Sequence, residues 1–501
     1  MDYLNPIIKG FNPDPSVCEV RGRYYLVTSS FEYFPGIPLY ESEDLVNWRQ
    51  TGSCITRQSQ LPMETVYPSG GVWAPTIRYN EGVFYVTATF SESRNFIIRA
   101  NEADMVWSDA VWVKMGGIDP SLFFEDGRAY YCTNMRGADG EEAISMAEID
   151  ADSGELLGEI KVIWGGTNGG CVEAPHIYHI GAWYYLLAAE GGTEMGHMVT
   201  LARSKSIWGP YENCPFNPIL TNRNDTSRRI MCTGHGDLTF DSIGGLWMVH
   251  LGTRPSNGFK AHLGRETFLS PMKLSDDGWI AADNPKAQLK NIAPHGARQE
   301  IITEWHADFS AERLGHEWVH RGAPNAELFS VENNSLVITP STVKLSDPGS
   351  LAFAAIRPLD MEFDFSICMN LDTAQTGDEA GIVLYLSPDF NYRFAKRREE
   401  DGDYIAVEKR AGDFAQTAYR QPASTGKVKL VVKARKKTFE FYYSVGGELE
   451  YACDASTCFL TCEAEERCFT GMMTGIYAQC EKATTARAVI YEAEARIHLA
   501  E

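Results

Sequence analysis

No run of about 18 consecutive apolar residues occurs anywhere in the chain, so no segment is read as a membrane-spanning helix. The opening residues, Met1 to Pro6, lack both a basic stretch and an apolar core, and no secretory leader is expected there. Basic residues are scarce as well. Against 67 Asp and Glu stand 45 Lys and Arg, a formal net charge of -22, which disfavours a surface built to neutralise polyphosphate. Neither nucleic acid nor a membrane is therefore an expected partner. The 12 cysteines, scattered from Cys18 to Cys480, contain no C-x-x-C pair; without a leader they read as reduced thiols, and a cytoplasmic location is expected. Their nearest grouping, Cys453, Cys458, Cys462 and Cys468, lacks the paired spacing of zinc ligands.

What is present is an ordinary globular composition, 44% hydrophobic and 22% charged, with aromatics at 12% as the one enrichment. At 501 residues the chain has room for two or three domains. Five segments share a glycine turn followed by an aromatic-rich strand, opening at Gly22, Gly82, Gly127, Gly181 and Gly245, at spacings of 60, 45, 54 and 64 residues. Units of that size, each read as several strands between turns, predict a propeller of about four strands per blade, here with five blades.

Eight residues before each glycine stand Asp14, Ala74, Asp119, Glu173 and Asp237, four acids in five places. Equivalent positions in a radial repeat surround the axis equivalently, so these carboxylates are expected at the mouth of the central channel. Asp-Pro pairs also favour turns for their own sake, and counting the fifth unit from Gly244 moves Asp237 out of register. Crowded carboxyls raise one another's pKa, which leaves one as an acid beside another that is a base; hydrolysis of a glycosidic bond is the common chemistry of such a pair. Phe31, Tyr33, Phe34 and Trp73 lie on segments expected to face the same mouth, where flat rings suit sugar faces, though each could equally pack in a core.

The stretches Asn12 to Ser16, Ser29 to Gly36, Asp44 to Trp48, Val72 to Pro75, Ile118 to Ser121, Val172 to His176, Gly234 to Asp237 and Leu263 to Thr267 together resemble the motif series of glycoside hydrolase family 43, in its β-xylosidase and α-L-arabinofuranosidase branch. That resemblance implies a five-bladed propeller and an inverting hydrolase. It makes Asp14 the general base, Glu173 the general acid and Asp119 a third carboxylate that keeps Glu173 protonated by like-charge repulsion. Inversion would set Asp14 and Glu173 about 6.5 to 9.5 Å apart, leaving room for a water between them. Arg265 would bind sugar hydroxyls, unless it pairs with Glu266 on the surface. His235 would stand at the channel centre, where members of the family often hold a hydrated calcium ion; calcium prefers oxygen, so its part would be structural and no cofactor is required for the chemistry. For Asp237 the two readings part: by register a fourth pocket acid, by resemblance a hydrogen-bond acceptor near His235.

The expected organisation is all-β, with a propeller catalytic domain over residues 1–300 and a β-sandwich over 301–501 that packs on it. The polar stretch from Asp283 to Gly296 reads as a linker, and no helix of any length is expected beyond it. The segment Phe469 to Gly475 resembles the family's pocket-closing loop, with Met472 and Met473 where smaller or aromatic residues would be usual. The expected function is release of terminal D-xylose from short β-1,4-xylo-oligosaccharides. The alternative is the same reaction on α-L-arabinofuranosyl groups, and a distant one is a non-catalytic carbohydrate-binding propeller. The expected partner is a small oligosaccharide, and a homo-oligomer is compatible with the sequence.

Overall fold

The computed structural model describes residues 1–91, 94–136, 140–423 and 426–498. Five four-stranded antiparallel sheets follow one another along the first part of the chain, each with its strands in sequential order outward. Their innermost strands are Ser16–Val20, Val72–Asn80, Ile118–Glu125, Glu173–Ile180 and Met231–Phe240. The next strand of each sheet is the aromatic-rich segment picked out by the repeat, from Arg23–Val27 to Leu246–Thr253. The hairpins joining them turn on Gly22, Gly82, Gly127, Gly181 and Gly244, all at positive φ. The fifth unit is thus counted from Gly244, not Gly245, which takes Asp237 out of the acid register.

A second regularity appears in the backbone. Asp14, Ala74, Asp119, Ala174 and His235 all adopt positive φ between 41° and 57°, one on or just before the innermost strand of each sheet. In four sheets a register shift follows at once, between Trp73 and Thr76, Ile118 and Ser121, Glu173 and His176, and Gly234 and Asp237. Bulges of this kind bend a strand and re-aim its side chains, and they recur beside active sites. Two residues further along each strand come Ser16, Thr76, Ser121, His176 and Asp237, and two further still Cys18, Arg78, Phe123, Tyr178 and Thr239. Since alternate side chains share a face, the inner strands present successive layers, with Asp14, Asp119 and His235 in one and Asp237 in the next.

The second part of the chain forms two packed sheets. One orders Phe329–Glu332, Ser335–Ile338, Arg487–Ile497, Phe363–Asp372, Val428–Ala434, Thr438–Ser444 and Glu450–Ser456, with Glu304–His306 also paired to Arg487–Ile497. The other orders Ala352–Ile356, Met473–Gln479, Glu379–Tyr385, Phe390–Glu399, Gly402–Ala411 and Phe414–Pro422. Leu336, Phe365, Ile382, Phe394, Leu430 and Phe441 fill the space between them. Helix among the described residues is confined to three single turns, Ala326–Leu328, Thr457–Phe459 and Cys462–Ala464. The stretch read as a linker is not wholly irregular, because Lys290–Ile292 pairs with Asp2–Leu4 at the start of the chain.

A shared apolar cluster joins the two parts: Phe11, Phe31 and Tyr33 pack with Val319, Phe353, Tyr385, Met473 and Tyr477. Strand Tyr33–Phe34 also pairs with His320–Arg321. Tyr33 and Phe34 are therefore core residues and not part of a sugar-facing mouth, with Phe34 turned into a separate cluster beside Val72 and Ile77. The strand they form is held from both sides, and that fixes the neighbouring Phe31 and Glu32.

Candidate active site

Asp14 is buried at the start of the first sheet, and its carboxylate accepts hydrogen bonds from Ser29 Oγ at 2.6 Å and Arg265 Nη1 at 2.7 Å. Ser29 Oγ in turn accepts from the Ala74 backbone N–H at 2.6 Å, so the second sheet's bulge helps aim the first sheet's acid. His235 Nδ1 lies 3.6 Å from Asp14. Burial alone would raise the Asp14 pKa, but Arg265 first, then His235, Ser29 and His197, outweigh it and hold the group below the usual carboxylate value. The ionised form of Asp14 is thus favoured.

Glu173 moves the other way. Burial, followed by the negative charge of Asp14, lifts it to about 7, with Arg265 opposing. Asp119 is lifted well above an ordinary aspartate by burial and by the charges of Glu173 and Asp14. Asp119 and Glu173 thus repel one another, and the charge of Asp14 raises both. All three acids feel Arg265, which makes that guanidinium the electrostatic centre of the site.

Arg265 does not pair with Glu266. Glu266 is held by Arg254 at 2.7 and 2.8 Å, while Arg265 spans Asp14, Thr193 Oγ1 at 3.1 Å and the Phe469 carbonyl at 3.0 Å. Its placement depends on two glycines. Gly264 has φ +71°, a Cβ there would lie 2.7 Å from Gly471 Cα, and one on Gly471 would lie 2.3 Å from the Leu263 carbonyl oxygen. Only bare backbone lets the two parts of the chain approach this closely beside the site.

The Phe469 ring stacks on Phe31 with centroids 6.4 Å apart and planes 17° from parallel, and Arg265 Cζ lies 5.6 Å from the Phe31 centroid. Trp73 is partly buried, its Nε1 donating to the Ser69 carbonyl at 3.1 Å, and Ser69 Oγ accepts from the Phe469 N–H at 2.9 Å. Phe31, Trp73, Arg265 and Phe469 are therefore connected around Asp14. Met472 and Met473 shape no part of this wall, since both are fully buried, one in the sandwich core and one in the shared cluster.

Asp237 is no pocket acid. Fully buried, it accepts from Ser16 Oγ at 2.6 Å, the Val17 N–H at 3.0 Å, Arg78 Nη1 at 2.9 Å, Arg78 Nη2 at 3.1 Å and the Tyr178 hydroxyl. Arg78, which sequence reading passed over, belongs to the third layer of the axis; a charged residue at an inward register position of the inner strand Val72–Asn80 was the available signal. Glu190 is also structural, accepting from the Thr167 and Gly169 N–H groups and from Thr200 Oγ1, which fixes the loop leading to Glu173. His197 lies against Gly234, where a Cβ would meet its ring at 2.4 Å, and Glu194 is exposed.

His235 brings one imidazole to the channel, and among the described residues no group of three or more His, Cys, Asp or Glu side chains is arranged to hold a metal ion. Asp14 is engaged by Arg265 and Asp237 by Arg78, so a hydrated calcium would rest on the His235 imidazole and on water and not on these carboxylates. The four cysteines Cys453 to Cys468 form no such group either.

Five antiparallel sheets following one another along the chain, with one buried carboxyl raised and another lowered around a shared guanidinium, fit a glycoside hydrolase. Known proteins narrow the class. The sequence pattern of glycosyl hydrolases family 43 matches residues 3–280, and that of the β-xylosidase C-terminal concanavalin A-like domain matches residues 306–492. The chain belongs to glycoside hydrolase family 43. It is 34% identical over 490 residues to a non-reducing end α-L-arabinofuranosidase of Bacteroides ovatus, covering 95% of this chain and 91% of that one. A β-xylosidase of Bacillus subtilis is 36% identical over 419 residues, 77% of each chain. Among solved structures, a xylan β-1,4-xylosidase from Bacillus halodurans superposes with a TM-score of 0.92 at 29% identity, covering 99% of this chain and all of that one (100%).

Proposed function

We propose that the protein is an inverting, exo-acting glycosidase that releases terminal D-xylose from the non-reducing end of β-1,4-xylo-oligosaccharides. The observation that carries this reading is the opposite displacement of two buried carboxyls that share Arg265 as a neighbouring charge, Asp14 below its ordinary value and Glu173 up to about 7. In the proposed reaction Asp14 takes a proton from a water as its oxygen attacks the anomeric carbon. The bond to the leaving sugar breaks on the opposite face, and Glu173 gives its proton to the departing oxygen. Asp119 stays beside Glu173, its own carboxyl raised by burial and by the charges of Glu173 and Asp14, and shapes the proton affinity of its neighbour. Arg265, already turned toward Asp14, anchors sugar hydroxyls through its remaining donor capacity and keeps the base ionised. The Phe469 wall favours a pocket over an open cleft, hence single sugars as products.

The β-xylosidase names of several relatives support xylose. Arabinofuranose is the second reading, because the relative aligned over 95% of this chain carries that activity in its name. Paired assays on the 4-nitrophenyl β-D-xylopyranoside and α-L-arabinofuranoside distinguish the two. Proton NMR of freshly released sugar tests inversion: the α-anomer of xylose is expected first, and initial β-xylose would refute the mechanism.

A further inference from the structure

We propose that Cys462 and Cys468 are a redox modification site, closing to a disulfide in the presence of a small-molecule disulfide and displacing the sandwich loop that holds Arg265. Both are free thiols and both are half-buried. The chain folds back between them, through the single helical turn Cys462–Ala464 and through Arg467 at φ +59°. That brings both sulfurs to one acceptor: Cys462 Sγ donates to the Thr470 carbonyl oxygen, and Cys468 Sγ lies 3.9 Å from the same oxygen and 3.7 Å from Thr470 Oγ1. The two thiols also hydrogen-bond one another, and that contact, ahead of burial, keeps the proton on Cys462 well past the usual thiol value. A disulfide requires two sulfurs that can meet without rebuilding the backbone, and this pair is already in contact.

Cys468, between the exposed Arg467 and Phe469, is the point of entry. Its thiolate attacks one sulfur of oxidised glutathione and expels one glutathione, which takes up the Cys468 proton. The Cys462 sulfur then attacks Cys468 Sγ in the mixed disulfide, and its proton passes to the second departing glutathione. Two protein thiols are oxidised by the two electrons that reduce one glutathione disulfide to two thiols. The consequence reaches the site through the loop. A disulfide carries no S–H, so the Thr470 carbonyl loses its sulfur donors, and Cys468 is drawn toward Cys462 together with the adjoining Phe469. The Phe469 carbonyl accepts from Arg265 Nη2 at 3.0 Å, its N–H donates to Ser69 Oγ at 2.9 Å and its ring stacks on Phe31. Arg265 in turn donates to Asp14 at 2.7 Å, so oxidation of the pair is felt at the base. Only this effect on rate rests on the glycosidase reading; the sulfur chemistry does not.

The test treats the intact protein with oxidised glutathione, alkylates the remaining thiols, and maps the cysteines by mass spectrometry without reduction. Tryptic cleavage after Arg467 separates the two cysteines, so a link joins two peptides. In parallel, kcat/KM is read on both 4-nitrophenyl glycosides before oxidation, after it, and after dithiothreitol. A Cys462–Cys468 link is expected, with kcat/KM falling by about 10-fold or more through the displaced Arg265 and returning on reduction, while Cys468→Ser should keep its rate in oxidised glutathione. The competing target is Cys171, the one exposed cysteine, two residues before Glu173. A rate loss that tracks a glutathione adduct on Cys171, or that persists in Cys468→Ser, overturns the proposal. So does a natural protein whose Cys462 and Cys468 stay unlinked, or become linked with no change in rate, and that arm requires no variant to fold. The link is read by mass without substrate, so its failure is separable from failure of the sugar assignment.

Discussion

Asp14 and Glu173 carry the same functional group, yet Arg265 at 2.7 Å lowers the proton affinity of the first while burial and the charge of Asp14 raise that of the second. The pH profile should show both. Rate needs Asp14 ionised and Glu173 protonated, so kcat/KM is expected to fall as pH rises through about 7, and to fall on the acid side only below the ordinary aspartate value. The Glu173→Gln variant should lose the alkaline limb. The two residues also separate by leaving group. Asp14→Ala is expected to abolish turnover of every substrate, whereas Glu173→Ala should spare activated aryl glycosides relative to xylobiose; equal losses across leaving groups would refute the assignment. Glu32 offers a stability test at the same scale. Buried under Ser69, whose N–H it accepts at 3.0 Å, it is lifted by burial to about 8. Between the unfolded value near 4.5 and that of the folded state, folding keeps a proton that the unfolded chain releases, so stability drains away as pH climbs across that window. Glu32→Gln should flatten the dependence of Tm on pH there.

At the level of strands and loops, the glycine turns and the acids were readable because the repeat displays them several times over. The true equivalence lay in backbone conformation, which composition does not reveal: the fourth repeat places Ala174, not Glu173, at the bulge, and the fifth places His235 there. Arg78 was hard to see for a different reason. Its partner Asp237 lies 159 residues away, and no local pattern encodes a contact of that span. Tyr33 and Phe34 misled because an aromatic in a site motif and an aromatic in a core look alike until the second sheet system covers one of them. The loop that carries Arg265 gives the prediction proper to this scale. Gly264→Ala puts a methyl group 2.7 Å from Gly471 Cα at φ +71°, so a loss of about 1 to 3 kcal/mol in stability is expected. Denaturant unfolding measures that loss, and a simultaneous drop in kcat/KM would report the shift of Arg265.

Across the whole molecule, the division into sheet ring and sandwich was legible from strand punctuation, while the depth of their union was not. Phe11, Phe31 and Tyr33 share a core with Phe353, Tyr385 and Tyr477, and the Phe469 carbonyl completes the surroundings of Arg265. A chain ending at residue 300 would expose that apolar surface and lose one of Arg265's partners. It is expected to aggregate or, if kept in solution, to show negligible activity, which size-exclusion chromatography with a 4-nitrophenyl xyloside assay would decide. The contact between Gly264 and Gly471 carries this further. Two bare backbones meet where neither tolerates so much as a methyl group, so neither half can drift in shape without its counterpart. A chimera that grafts a foreign sandwich onto this ring should work only if the donor matches that seam atom for atom, and lineages of the protein should have inherited the halves together.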